Sequence, residues 1–189
     1  AAFIARTVLA RCAVGTMATI YPQDYSVDVL AGQPYAMQEY YATCFANGSL
    51  GLIFLPISRH SQNILRSPSH AASLSVWSEP PAASQPRVSL IGNVTILGQD
   101  DPSLDPLKEC YLAQHPDARA WLPGDDEGAH KAYWARFDPH SIYFVGGFGD
   151  EHYIGYIPTD KYQSAVSPSS ADSQAVLTSG EGRKELGYL

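Results

Sequence analysis

The chain has 189 residues, a formal net charge of −7 and a pI near 5.2. Only 12 residues are Lys or Arg and they form no basic run, which excludes a reader of the nucleic-acid backbone. Apolar residues make up 45% and charged ones 16%, a globular balance, and the longest apolar stretch, residues 50–57, falls far short of the roughly 20 residues that insert across a membrane.

Residues 1–13 read as a helix, because Ile4, Val8 and Cys12 recur at i, i+4 and i+8 while Arg6 points elsewhere. The pattern turns extended over 14–20, and a loop punctuated by Pro and Gly follows over 22–32. Further strands are predicted at 34–40, 50–55, 71–77, 88–97, 141–148 and 153–157, each short, rich in Val, Ile, Thr and aromatics, and bounded by turn residues. Ser58 is placed to cap a helix over 59–65 that Ser67-Pro68 stops. Asp105 ahead of Pro106 predicts the start of another helix, which carries Leu107, Cys110 and Tyr111 up to His115-Pro116, with a further turn over 117–121. Asp125, Asp126 and Glu127 read as a solvated loop, and residues 164–180, with six serines and no aromatic, as a mobile tail. The organisation is thus one domain over 1–162 and a Ser-rich tail over 163–189. Short strands at this spacing favour a barrel or sandwich over a parallel βαβ sheet. Within 88–97, Val88, Leu90, Gly92, Val94 and Ile96 share the core face, while Arg87, Ser89, Ile91, Asn93 and Thr95 face outward.

Catalytic motifs are sparse. Asn47 stands where a G-x-S-x-G elbow over Gly48-Ser49-Leu50-Gly51 needs its first glycine, and Gly147-Phe148-Gly149 lacks the third glycine of a dinucleotide fingerprint. The histidines at 60, 70, 115, 130, 140 and 152 show no metal-ligand spacing, and the three cysteines form no CxxC pair, so no metal site and no catalytic residue is assigned. Three cysteines allow at most one bridge. Cys12 and Cys110, both on helices, read as unpaired core hydrophobes, and Cys44, in a loop, as the reactive thiol. Two sequons, Asn47-Gly48-Ser49 and Asn93-Val94-Thr95, point toward the secretory route and glycosylation, with Asn47 in the more open turn. The one polar constellation with binding chemistry is Ser58, Arg59 and His60, where an apolar strand runs into a capped helix whose free N–H groups attract anions and the two cations add donors for a phosphate.

At these residues the sequence resembles a known superfamily. The run Ser58-Arg59-His60-Ser61-Gln62-Asn63-Ile64-Leu65-Arg66-Ser67-Pro68, preceded by Gly15-Thr16-Met17-Ala18-Thr19-Ile20 and followed by Arg87-Val88-Ser89-Leu90-Ile91-Gly92-Asn93-Val94, is similar to the pyridoxamine 5'-phosphate oxidase-like, FMN-binding split barrels. Ala5-Arg6 through Cys12-Ala13-Val14-Gly15, His115-Pro116 before Trp121, and Tyr143-Phe144-Val145-Gly146-Gly147-Phe148-Gly149 resemble the CREG branch within it. The resemblance covers residues 1–162. It implies a mainly β fold, a six-stranded antiparallel split barrel with flanking helices, assembled as a homodimer. It also implies a secreted or endolysosomal (vacuolar) glycoprotein that is non-catalytic, holds no cofactor and meets a receptor or other protein partner. The alternative is an FMN-dependent oxidoreductase, in which the segment matching Ser58, Arg59 and His60 would hold the FMN phosphate; His60 here departs from the commoner Lys. A second alternative, a haem-binding or haem-degrading barrel, follows from the likeness of His115-Pro116-Asp117-Ala118 and Gly146-Gly147-Phe148-Gly149 to haem-utilisation proteins.

Overall fold

A computed structural model of the chain describes residues 1–124 and 131–166. Helix α1 (Ala2–Arg11) precedes strand β1 (Val14–Ile20), and β2 (Pro34–Tyr40) returns alongside it after a loop. Then come β3 (Leu50–Phe54), α2 (Arg59–Arg66), β4 (Ala71–Trp77), β5 (Arg87–Ile96), α3 (Leu104–Gln114), β6 (Tyr133–Val145), β7 (Ile154–Ile157) and α4 (Thr159–Ser164). The antiparallel sheet runs β2-β1-β4-β5-β6-β3, with β7 paired to β6 beside that path. Among the described residues a single bridge, Ala42 to Gly51, joins the β2 end to β3. The six-strand path therefore curls into a barrel whose seam is split, in agreement with the expected fold.

Two apolar clusters sit on opposite sides of β3. Inside the barrel, Leu9, Met17, Tyr41, Leu50, Leu74, Leu90, Phe137 and Ile142 pack together. Outside it, Leu107 and Tyr111 of α3 cover Ile53, Leu97 and Trp134. All five residues of β3 are buried as a result, which is why this strand is a continuous apolar run instead of an alternating one. Strand β5 alternates as its sequence predicts, with Val88, Leu90, Gly92 and Val94 buried. None of the described helices is long and apolar enough to cross a membrane.

Four expectations are corrected. The last long strand begins at Tyr133, not at 141. Arg136, Asp138 and Pro139 interrupt its apolar alternation, but the first two neutralise each other through two Nε–carboxylate hydrogen bonds of 2.9 and 3.0 Å. Pro139 lies opposite Gly92 where the β5–β6 register shifts, a bulge that tolerates proline. A Cβ at Gly92 would overlap the Asp138 carbonyl, so only glycine lets the strands approach there. Second, Ser103 and not Asp105 precedes α3; the Asp101 carboxylate accepts from the Ser103 N–H and hydroxyl at 2.9 and 2.6 Å.

Third, Arg6 does not point away from the core. It is 5% exposed, donates to the Tyr162 and Ala46 carbonyls at 3.2 and 3.0 Å, and lies over the Tyr162 ring. Fourth, the cysteines are not all unpaired. Cys44 and Cys110 form a disulfide, with their Cα atoms 5.8 Å apart, tying the segment before β3 to α3. Cys110 is thus no unpaired core residue and Cys44 no reactive thiol, because the chain path sets them side by side across a separation of 66 residues. The free cysteine is Cys12, whose thiol donates to the Trp77 carbonyl at 3.2 Å and is pushed up in pKa by burial, which makes it a poor nucleophile. The acidic loop 125–127 and the Ser-rich tail from 167 onward lie outside the described residues.

Candidate anion site

The start of α2 forms as its residues dictate. Ser58 is extended, its hydroxyl oxygen accepts from the Ser61 N–H at 3.2 Å, and its carbonyl takes the first helical bond from Gln62. The Ser58 hydroxyl in turn donates to the Ser61 hydroxyl at 2.9 Å. The cap is thus satisfied by the chain itself.

The two cations expected beside it diverge. The Arg59 guanidinium lies over the rings of Tyr21 and Tyr25, 5.4 and 4.9 Å from their centroids. Those rings meet each other at 4.8 Å, and Tyr21 meets Tyr35 edge-on at 5.8 Å. The loop after β1 therefore folds over α2 and takes up the cation through its aromatic faces, with Asp24 adding an exposed ion pair to Arg66 at 2.6 Å. His60 turns the other way. It is 5% exposed, its Nδ1 is 3.4 Å from the Glu39 carboxylate, and the Tyr35 ring stands edge-on to it at 5.0 Å.

Ser58, Arg59 and His60 are adjacent in sequence yet do not converge on one point in space. A flavin phosphate would meet a hydroxyl already used as a cap, a guanidinium held on tyrosines and a histidine facing an acid. Phosphate and the Glu39 carboxylate repel one another, so the residues present do not fit the FMN phosphate. Sequence reasoning missed Tyr21, Tyr25, Tyr35 and Glu39, since only the β1–β2 pairing brings them to α2.

The remaining candidates are equally committed. Arg87 donates to the Ala83 carbonyl at 3.1 Å and lies over Trp77. His115 ends α3 as expected; its Nε2 donates to the Tyr41 carbonyl at 2.8 Å and its ring stacks on Tyr40 at 4.4 Å, leaving that nitrogen no part in holding a haem iron. The Tyr40 hydroxyl donates to Asp117 at 3.1 Å, a hydrogen bond that raises its pKa. Among the described residues no group of His, Cys, Asp and Glu is arranged to hold a metal ion. Of the two sequons, Asn47 is exposed, its side-chain oxygen accepting from the Ser49 N–H at 3.1 Å. Ser49 itself is buried and donates to Asp138 at 2.7 Å. Asn93 is half-buried and its amide donates to the Ser69 carbonyl at 2.6 Å.

Several solved structures share this fold. A haem binding protein from Mycobacterium smegmatis is 22% identical, with a TM-score of 0.69 over 88% of this chain and 61% of its own. A pyridoxamine 5'-phosphate oxidase-related, FMN binding protein from Nostoc punctiforme is 16% identical, with a TM-score of 0.50 over 77% of this chain and 80% of its own. An FAD-binding protein from Mesorhizobium loti is 18% identical, with a TM-score of 0.52 over 72% and 86%. The chain spans 61% of the length of the mycobacterial protein, and at these identities the likeness is one of fold. The family described as "CREG, beta-barrel" matches residues 1–164, and the chain belongs to the CREG family. No curated protein sequence matches it significantly.

Proposed function

We propose that this CREG-family split barrel is a non-catalytic glycoprotein of the secreted or endolysosomal lumen that acts as a homodimer and engages a receptor or other protein partner. The observation that carries the non-catalytic part is the commitment of Arg59 to Tyr21 and Tyr25 and of His60 to Glu39. With those contacts made, the start of α2 offers no converging pair of cations for a flavin phosphate. The absorption spectrum of the purified protein is expected to lack both flavin bands and a Soret band, and calorimetry with added FMN to give no binding heat. Tight FMN binding overturns this reading, and FMN binding unchanged in Arg59→Ala would place that site away from α2.

The lumenal part is supported by the Cys44–Cys110 disulfide, because such bonds persist in oxidising compartments. Glycosylation is expected at Asn47 ahead of Asn93. The Asn47 side chain reaches solvent, whereas the Asn93 amide is held against the Ser69 carbonyl. In a eukaryotic secretory host, Asn47→Gln should abolish most of the mass lost on deglycosylation and Asn93→Gln little of it. The reverse pattern contradicts the ranking.

The outer face of the sheet supports the dimer. One cross-strand row runs Gln38, Thr16, Ser75, Ser89, Tyr143, Tyr156, and the next runs Ala36, Ala18, Ser73, Ile91, Ser141. Neither row carries a charge. Tyr143 and Tyr156 meet edge-on at 5.1 Å and both are exposed, as are Trp77 and Ile91. Two adjacent uncharged rows, the first crossing six strands, give the kind of surface that an obligate dimer buries, often above about 2,000 Å² in total. Two substitutions, Ser89→Arg and Tyr143→Glu, put charge into its centre and are expected to yield a folded monomer by light scattering. Deleting residues 167–189 is expected to leave the dimer whole, and a monomer from that deletion would assign the interface to the tail.

A further inference from the structure

Among the described residues, two side-chain polar atoms are buried without a hydrogen-bond partner, and both belong to α2: Nε2 of His60 and Oδ1 of Asn63. Residues three apart are neighbours on one helix face, and here that face is the buried one, with His60 5% and Asn63 1% exposed. Their other polar atoms are engaged. His60 Nδ1 meets Glu39 of β2, and Asn63 Nδ2 donates to the Thr19 hydroxyl of β1 at 3.1 Å. With the Nδ1 proton directed at the carboxylate, His60 Nε2 is an acceptor, and Asn63 Oδ1 is an acceptor as well. Two buried acceptors one turn apart call for a single small species with two hydrogens to give.

We propose that α2 holds one internal water molecule between His60 Nε2 and Asn63 Oδ1, joining Glu39, His60, Asn63 and Thr19 into one polar chain across β2, α2 and β1. Internal waters characteristically make two to four hydrogen bonds to groups that would otherwise be orphaned. The water anchors the first turn of α2 from its buried face. It gives this helix its reason to bury a polar face. The inference stands apart from the reading of the protein as non-catalytic, since it concerns the interior and not any ligand that reaches α2 from solvent.

A crystal structure of the full chain at a resolution that shows ordered solvent is expected to place one water within hydrogen-bond distance of both atoms. Direct contact between the imidazole and the amide, or new protein partners for both with no water present, overturns the proposal. In solution, nitrogen-15 shifts of the His60 ring are expected to report the Nδ1–H tautomer, and the Nε2–H tautomer would count against it. His60→Phe and Asn63→Leu should each lower the urea midpoint, while the double variant falls by less than the sum of the two, because each also loses its own contact, to Glu39 or Thr19, but the bridge is lost only once. Strictly additive losses overturn the shared water. If a variant does not fold, the crystal structure of the wild type still decides.

Discussion

Replacing Cys44 and Cys110 together by serine is expected to cost about 4 kcal/mol of stability, the entropy released when a closed loop of some 66 residues is opened in the unfolded chain. For a chain of this length that corresponds to a fall of roughly 10 °C in Tm. The bridge matters beyond its entropy. It clamps the segment before β3 onto α3, whose Leu107 and Tyr111 roof the outer core, and the Gln114 side-chain oxygen accepts from the Thr43 N–H at 3.3 Å on the same seam. Reductant should reproduce the loss in the wild type and leave the serine variant unmoved. Equal melting of the wild type with and without reductant would contradict the account.

Tyr162→Ala is expected to be as damaging, with a loss of about 4 kcal/mol, in the range for removing a buried aromatic ring. Tyr162 is fully buried between α1 and the turn before β3. Its hydroxyl donates to the Gly48 carbonyl at 3.0 Å, its own carbonyl accepts from Arg6, and its ring lies under the guanidinium. Burial also pushes its phenol pKa well up. Gly48 has φ of +84°, and a Cβ there would lie 2.5 Å from the Tyr162 ring, so the turn and the tyrosine fit only with glycine. Tyr162→Phe keeps the ring and loses one hydrogen bond, about 1 kcal/mol. Urea midpoints at constant m-value check both. Because α4 carries this anchor, a chain ending at Pro158 should be as unstable as Tyr162→Ala.

Strands β1 and β4 were legible because one face of each meets the core and the other solvent, and β2 because turn residues bound it on the Gly32 side. Segments 14–20, 34–40 and 71–77 coincide with β1, β2 and β4, and Ser58 caps α2 as its position predicts. The hidden features depend on partners distant in sequence. Residues 133–140 fall outside the predicted strand over 141–148, because the charges of Arg136 and Asp138 are neutralised only by one another within β6. Arg6 reads as an exposed cation until the Tyr162 carbonyl, 156 residues away, is brought to it. Cys44 and Cys110 carry no spacing motif, because a disulfide between a loop and a helix is set by tertiary path alone. The anion site shows the same limit. Cap and cations are written in consecutive residues, but Arg59 is taken up by Tyr21 and Tyr25 and His60 by Glu39, all from another hairpin.

The position of the Cys44–Cys110 bridge has a bearing on survival among proteases. The covalent ring it closes takes in β3, α2, β4 and β5. It also takes in the Pro-rich connection between β4 and β5, where Glu79, Pro80, Pro81, Ala83, Ser84 and Gln85 are exposed. A cut in that connection releases nothing: the two pieces remain one molecule through the sulfur atoms, and the β4–β5 pairing still holds the new ends in register. Nicked protein would run at full length on a gel until reduced, then as two fragments, and a protease that clips this turn would not dismantle the barrel.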